Sequence, residues 1–313
     1  MRIYRIDHVA QVTPDLEKQV GLLEKLFGFR RTVSWENSEQ GVRGVRLAVP
    51  GSWGQAWEVL APSGPTGSWV QAALDANGGR GGFHHVAAEV PDLDVARKEI
   101  EGRGIEVTSG TGGDWIQAVL TPPAAGGGVP FRLRGPGSLT LCGDETATVA
   151  ASQPQGGPDL GIVLLDHVCQ AYPDREELAR WYSDLAGFTE VWRTPIDLIP
   201  DMADLVLNIP GSATCWEIIM PRGEDSFIDR FLAKNGPSVH HVTFQVADWD
   251  AALAACDHHE IPTFDEETGV KDGAAWKHRF IHPKHTGGVL VQIFWEEKPG
   301  VWVRSDKIAP PAA

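Results

Sequence analysis

The stretch "VHHVTFQVADWD", residues 239–250, sets two histidines side by side at the head of a segment whose alternating apolar residues predict a β-strand. Neighbours on a regular strand point to opposite faces. On that parity only one of His240 and His241 can look into a given pocket, and His240 goes with Val242, Phe244 and Val246 toward an apolar layer or an edge.

Three other stretches align with it. They are "IDHVAQVTPDLEKQVGLLEKLFGF" from Ile6, "FHHVAAEVPDLDVARKEIEGRGI" from Phe83 and "LDHVCQAYPDREELARWYSDLAGF" from Leu165. The first dyad position varies (Asp7, His84, Asp166, His240), whereas the second is histidine throughout (His8, His85, His167, His241), so His241 is the expected pocket residue. After each dyad, Pro14, Pro91 and Pro173 precede an acidic residue, as at helix starts. Leu16, Val20, Leu23 and Phe27 then fall on one helical face before Gly28, and Leu178, Trp181 and Leu185 do so before Gly187. Strand-like stretches follow, among them "GVRGVRLAVP", "QAWEVLAP", "ADLVLNIP", "CWEIIMP", "KHRFIHP" and "GVLVQIFW". Each module therefore reads as β-α-β-β-β, an α+β fold.

The modules pair. The Gly-, Ser-, Thr- and Pro-rich segment from residue 135 to 161 separates two halves, and modules 1 and 2 resemble 3 and 4. The expected organisation is a domain over 1–135, a linker over 136–160, a second domain over 161–298 and a tail over 299–313.

Bulk properties narrow the function. The 313 residues are 42% hydrophobic and 22% charged, which suits folded protein of about two domains. With 27 Lys+Arg against 42 Asp+Glu the net charge is −15, which opposes binding to nucleic acid or anionic membranes. No signal-peptide pattern or long apolar run occurs, and Cys142, Cys169, Cys215 and Cys256 form no CxxC pair. The expectation is a cytoplasmic protein with packing cysteines, acting on a small molecule, with a homodimer left open.

Two histidines and a carboxylate from separate strands form a donor set for Fe, Mn, Co, Ni or Zn. Glu58 and Glu217, each in a "WE" pair, follow their module's histidine by 50 residues, His8 to Glu58 and His167 to Glu217. In the last strand the polar residue is Gln292, whose amide oxygen is a weak ligand; the corresponding residue of the first domain is Arg132, which has no lone pair to donate. One divalent metal is therefore expected, held by His167, Glu217, His241 and Gln292. The first domain is expected to lack a complete site. Trp57 and Trp216 are expected pocket walls, and Lys284 in "HPKHTGG" is expected to meet an anionic substrate group.

The module order, the "IDHV", "HHV" and "HPKHTGGVLVQI" motifs and the "PDL" turns resemble the vicinal oxygen chelate superfamily of glyoxalases, bleomycin-resistance proteins and extradiol dioxygenases. Locally they are most similar to methylmalonyl-CoA epimerases. The resemblance implies two domains of paired modules with cupped mixed sheets, and a metal that chelates vicinal oxygens. It also implies an epimerase, isomerase or lyase acting through an enolate or enediolate. Relative to the epimerases, Glu217 and Gln292 exchange carboxylate and amide. The family's non-ligand glutamate falls near Gly44 in the first domain and near Asp204 or Leu205 in the second, so Asp204 is a candidate base, with Glu217 as the other. Two alternatives stay open: an Fe(II)-dependent dioxygenase of extradiol or 2-oxo-acid type, and a metal-free binding protein of bleomycin-resistance type.

Overall fold

The computed structural model describes residues 1–298 apart from 53, 65–67, 111–113, 137–147, 150–155, 197–198 and 224. The expected tail over 299–313, Cys142 and most of the expected linker lie outside the described residues.

The first sheet is built from β1 (Arg5–Val12), β2 (Arg30–Asn37), β3 (Val42–Ala48), β4 (Ala56–Pro62), β5 (Gly82–Glu89), β6 (Thr108–Ser109), β7 (Trp115–Val119), β8 (Pro130–Arg134) and β9 (Thr148–Val149). Its order is β6-β7-β8-β5-β1-β4-β3-β2-β9. The second comprises β10 (Ile162–Ala171), β11 (Thr189–Arg193), β12 (Met202–Asn208), β13 (Cys215–Pro221), β14 (Ser238–Val246), β15 (Thr263–Lys271), β16 (Ala274–Ile281) and β17 (Val291–Glu296). Its order, β11-β12-β13-β10-β14-β17-β16-β15, repeats the first apart from β9. In each sheet two modules meet where their first strands pair antiparallel, β1 with β5 and β10 with β14. The α+β class and the doubled β-α-β-β-β plan hold. The segment expected as linker contributes β9, which pairs with Val33 and Ser34 of β2.

Each module helix starts in the same way. In α1 (Leu16–Lys25), α3 (Leu93–Gly102), α4 (Arg175–Ala186) and α6 (Trp249–His258) the residue before the first turn is Asp15, Asp92, Asp174 or Asp248, and its carboxylate accepts from backbone N–H groups of that turn. Such a cap contributes about 1 kcal/mol. Gly187 closes α4 at φ 76°, a conformation suited to glycine. Two further helices, α2 (Trp69–Ala76) and α5 (Phe227–Asn235), join the modules of each domain and were not foreseen. They pack on β1, β4, β10, β13 and β14. The sequence reading passed over them because each is short and follows a loop of turn formers.

The two domains share one core. Phe27 and Phe29 pack edge-on against Phe244 of the second domain at 5.6 Å, and Phe131 stands 5.2 Å from Trp216. The contacts cross in reciprocal pairs: Ser212 accepts from the Ile6 N–H at 2.7 Å, and Ser52 from the Leu165 N–H at 2.9 Å. Trp57 and Trp216 are fully buried here, bonded to Gln11 and Gln170. This corrects their expected place as pocket walls: Glu58 and Glu217 take the other face of the sheet, so strand parity turns each preceding tryptophan into the core.

Candidate metal centre

A bulge at every dyad builds the site. Leu165 pairs with Phe244 and His167 with Thr243, which leaves Asp166 as the extra residue; Cys169 pairs with His241 and Gln170 with Val239, which leaves His240 extra. Asp7 and His84 are the extra residues of the first sheet. A bulge sets two residues against one and lets neighbouring side chains lean to the same side. The parity expectation for His240 is therefore corrected: Val239 packs on the apolar core, while His240 lies against Phe227 and Phe231 of α5, at 5.8 and 4.8 Å, with its Nδ1 2.9 Å from His241 Nδ1.

In the second domain the structure brings His167, Glu217 and His241 together, all buried, with one potential ligand atom from each lying within 4.8 Å of the others. Glu217 Oε2 lies 3.3 Å from His167 Nε2 and 3.5 Å from His241 Nε2. Asp166 holds His167 by its other nitrogen at 2.8 Å, the arrangement that orients a metal-ligating imidazole. Gln292 belongs to the same group: Thr243 Oγ1 donates to its Oε1 at 2.7 Å and stands 2.7 Å from His167 Nε2. Sequence reasoning gave neither Thr243 nor Asp166 a role, although the recurring Asp-His dyad was the signal for the latter.

Asp204 lies on the same face of β12, where its side chain hydrogen-bonds Glu217. Burial and the Glu217 charge push its carboxyl well above the usual range, while His167 and His241 hold Glu217 below its own against the pull of burial. One of the two carboxyls is thus protonated and the other ionised. Burial works against a charge on His167, yet Glu217 and Asp166 raise it to about 10. Burial keeps His241 neutral, and among the described residues its Nε2 has no hydrogen-bond partner. A neutral imidazole with an unbonded buried nitrogen, facing a carboxylate and a second imidazole, fits a divalent cation. His167, Glu217 and His241 would hold it, with Gln292 beside them.

Lys284 is exposed in a turn, and among the described residues no contact joins it to the metal group. That turn instead abuts the first domain, where Gln11 donates to the carbonyls of Thr286 and Gly287. His278 is within β16, stacked on Trp276 and 5.5 Å from Phe280, which itself packs edge-on to His241.

The first domain carries the same three donors. His8, Glu58 and His85 are buried with potential ligand atoms within 4.8 Å of one another, His8 Nε2 lies 3.1 Å from Glu58 Oε2, and Asp7 holds His8 Nδ1 at 2.7 Å. The surroundings differ. Gly44 replaces Asp204, and Trp35 lies so close over it that any Cβ would collide with the indole. Trp35 Nε1 donates to Glu58 at 3.2 Å. Arg132 stands opposite Ala87, as Gln292 stands opposite Thr243.

Comparison with known proteins agrees with this layout. The profile of the Glyoxalase/Bleomycin resistance protein/Dioxygenase superfamily matches residues 7–117 and 166–281. Mitochondrial methylmalonyl-CoA epimerase of Bos taurus is 34% identical over 172 residues, 54% of this chain and 93% of that protein. The Homo sapiens protein of the same name is 35% identical over 131 residues, 41% of this chain and 72% of its own. A mutant of 4-hydroxymandelate synthase from Streptomyces coelicolor superposes with a TM-score of 0.68 over 98% of this chain and 97% of that one at 15% identity, a likeness of fold. Among the described residues no helix is long and apolar enough to cross a membrane.

Proposed function

Because the chain belongs to the Glyoxalase/Bleomycin resistance protein/Dioxygenase superfamily, we propose that its second domain is a divalent-metal-dependent epimerase or isomerase site. It removes and returns a proton next to a carbonyl of a small oxygenated substrate. A 2-methylmalonyl thioester is the first candidate substrate, since relatives at 34% and 35% identity are methylmalonyl-CoA epimerases.

The observation that carries this reading is the Asp204–Glu217 carboxyl pair beside the imidazoles. A divalent cation supplies Lewis acidity for the charge that develops on the carbonyl oxygen as the proton leaves. Asp204 and Glu217 are the groups that carry the proton. Ionised Glu217 is the group that takes the proton from carbon, and protonated Asp204 beside it, whose Oδ1 has no hydrogen-bond partner among the described residues, is the group that gives one back. Asp166 and Thr243 hold His167 in place, and Phe280 packs edge-on against His241.

The test is incubation of the metal-loaded protein with methylmalonyl-CoA in D2O. Deuterium entering at C2, dependent on added Mn2+ or Co2+ and lost in Glu217→Ala, supports the reading; no exchange with any divalent cation overturns it. A two-histidine, one-carboxylate set is also that of Fe(II) oxygenases. Substrate-dependent oxygen uptake with Fe(II) and no deuterium exchange would establish that second reading.

A further inference from the structure

The two triads are nearly superimposable in their internal geometry. The imidazole centroids are 5.5 Å apart for His8 and His85 and 5.6 Å for His167 and His241, with 72° between ring planes in both. What separates the sites is the charge around them. Strand pairing matches Arg46 to Val206, Arg132 to Gln292 and Arg134 to Phe294. Three arginines thus stand in the first domain where the second has none. Arg46 and Arg134 bind Asp7 at 2.9 and 2.6 Å. Arg132 is fixed by Gln117 at 3.2 Å and lies 4.2 Å over Trp115 and 5.3 Å over Trp69, and its charge acts on both Glu58 and His85.

Such a site has two opposed requirements. Its donors suit a divalent cation: His85 Nε2 is completely buried and, among the described residues, without a hydrogen-bond partner. The guanidinium in the fourth position repels one. A carboxylate resolves the conflict, because a planar guanidinium matches its two oxygens and its negative charge offsets the added cation. We propose that the first domain is a second ligand site, where His8, Glu58 and His85 hold a divalent cation when a small carboxylate is bound against Arg132. With Gly44 and Trp35 in place of Asp204, the site lacks the acid that Asp204 sets beside Glu217. It binds its ligand without proton transfer.

The experiment is equilibrium dialysis of the whole chain against saturating Mn2+, with and without pyruvate as the carboxylate probe. The bound metal is counted by electron paramagnetic resonance after acid release. One equivalent is expected without pyruvate and two with it. In Arg132→Gln, which copies Gln292, two are expected in either condition; His85→Ala should lose the pyruvate-dependent equivalent, while His241→Ala should lose the other. A wild-type count that pyruvate does not change overturns the proposal without recourse to any variant, as does an added equivalent that survives His85→Ala. Failure of the second-domain reading would show separately, as a pyruvate-independent count of zero or one insensitive to His241→Ala.

Discussion

His240 and His241 set their Nδ1 atoms 2.9 Å apart, a contact that the bulge opposite Cys169 and Gln170 makes geometrically open to adjacent residues. One ring donates and the other accepts. When His241 is the donor its Nε2 carries the lone pair, which is the tautomer a metal requires.

Replacing His241 by Ala should abolish Mn2+ or Co2+ binding to the second domain. His240→Ala removes only the partner that fixes the tautomer, and outer partners of this kind typically contribute 10–100-fold in affinity. Calorimetric titration with Co2+ should therefore show roughly tenfold weaker binding in His240→Ala; unchanged affinity would show that the Nδ1 contact plays no part.

Thr243→Val keeps the shape of a fully buried side chain but leaves His167 Nε2 and Gln292 Oε1 without the hydroxyl that joins them. An unpaired buried polar group costs about 1–3 kcal/mol. The metal-free variant should melt several degrees lower. Added Co2+ should recover most of that loss, because it takes over the same two atoms. A variant with the wild-type melting temperature in the absence of metal would contradict this role.

Asp204→Asn preserves size and keeps the position beside Glu217 polar. Loss of a general acid-base group typically lowers the rate 10²–10⁴-fold. Deuterium exchange from solvent should fall by that order while the metal content stays at the wild-type value. Loss of metal together with activity would make Asp204 a support for the donor set instead.

Trp216 lies in the shared core against Phe131, Tyr182 and Phe188. Trp216→Ala should cost about 3–5 kcal/mol, read from the urea midpoint. Trp216→Phe should leave cation affinity unchanged, since the ring faces away from Glu217. A changed affinity in a stably folded Trp216→Phe would return Trp216 to the pocket.

The repeat, the helix starts and most donors were legible in the chain because they are local or periodic. Four aspartates cap four helices in the same way. The invariant dyad histidines and the matched glutamates carried the triads, and the register that equates Arg132 with Gln292 is the one the sheets adopt. What the chain alone left out depends on partners distant in sequence. A bulge is a count of residues on one strand against those on another, so strand parity by itself could not place His240 or join Asp166 to His167. The burial of Trp57 and Trp216 required a second domain packed on the back of the sheet. An arginine in the last strand argued against a complete site in the first domain, yet His8, Glu58 and His85 still converge. Strand pairing alone fixes their positions, whatever charge the fourth strand brings. The residues named the donors, and the sheets decided which of them meet.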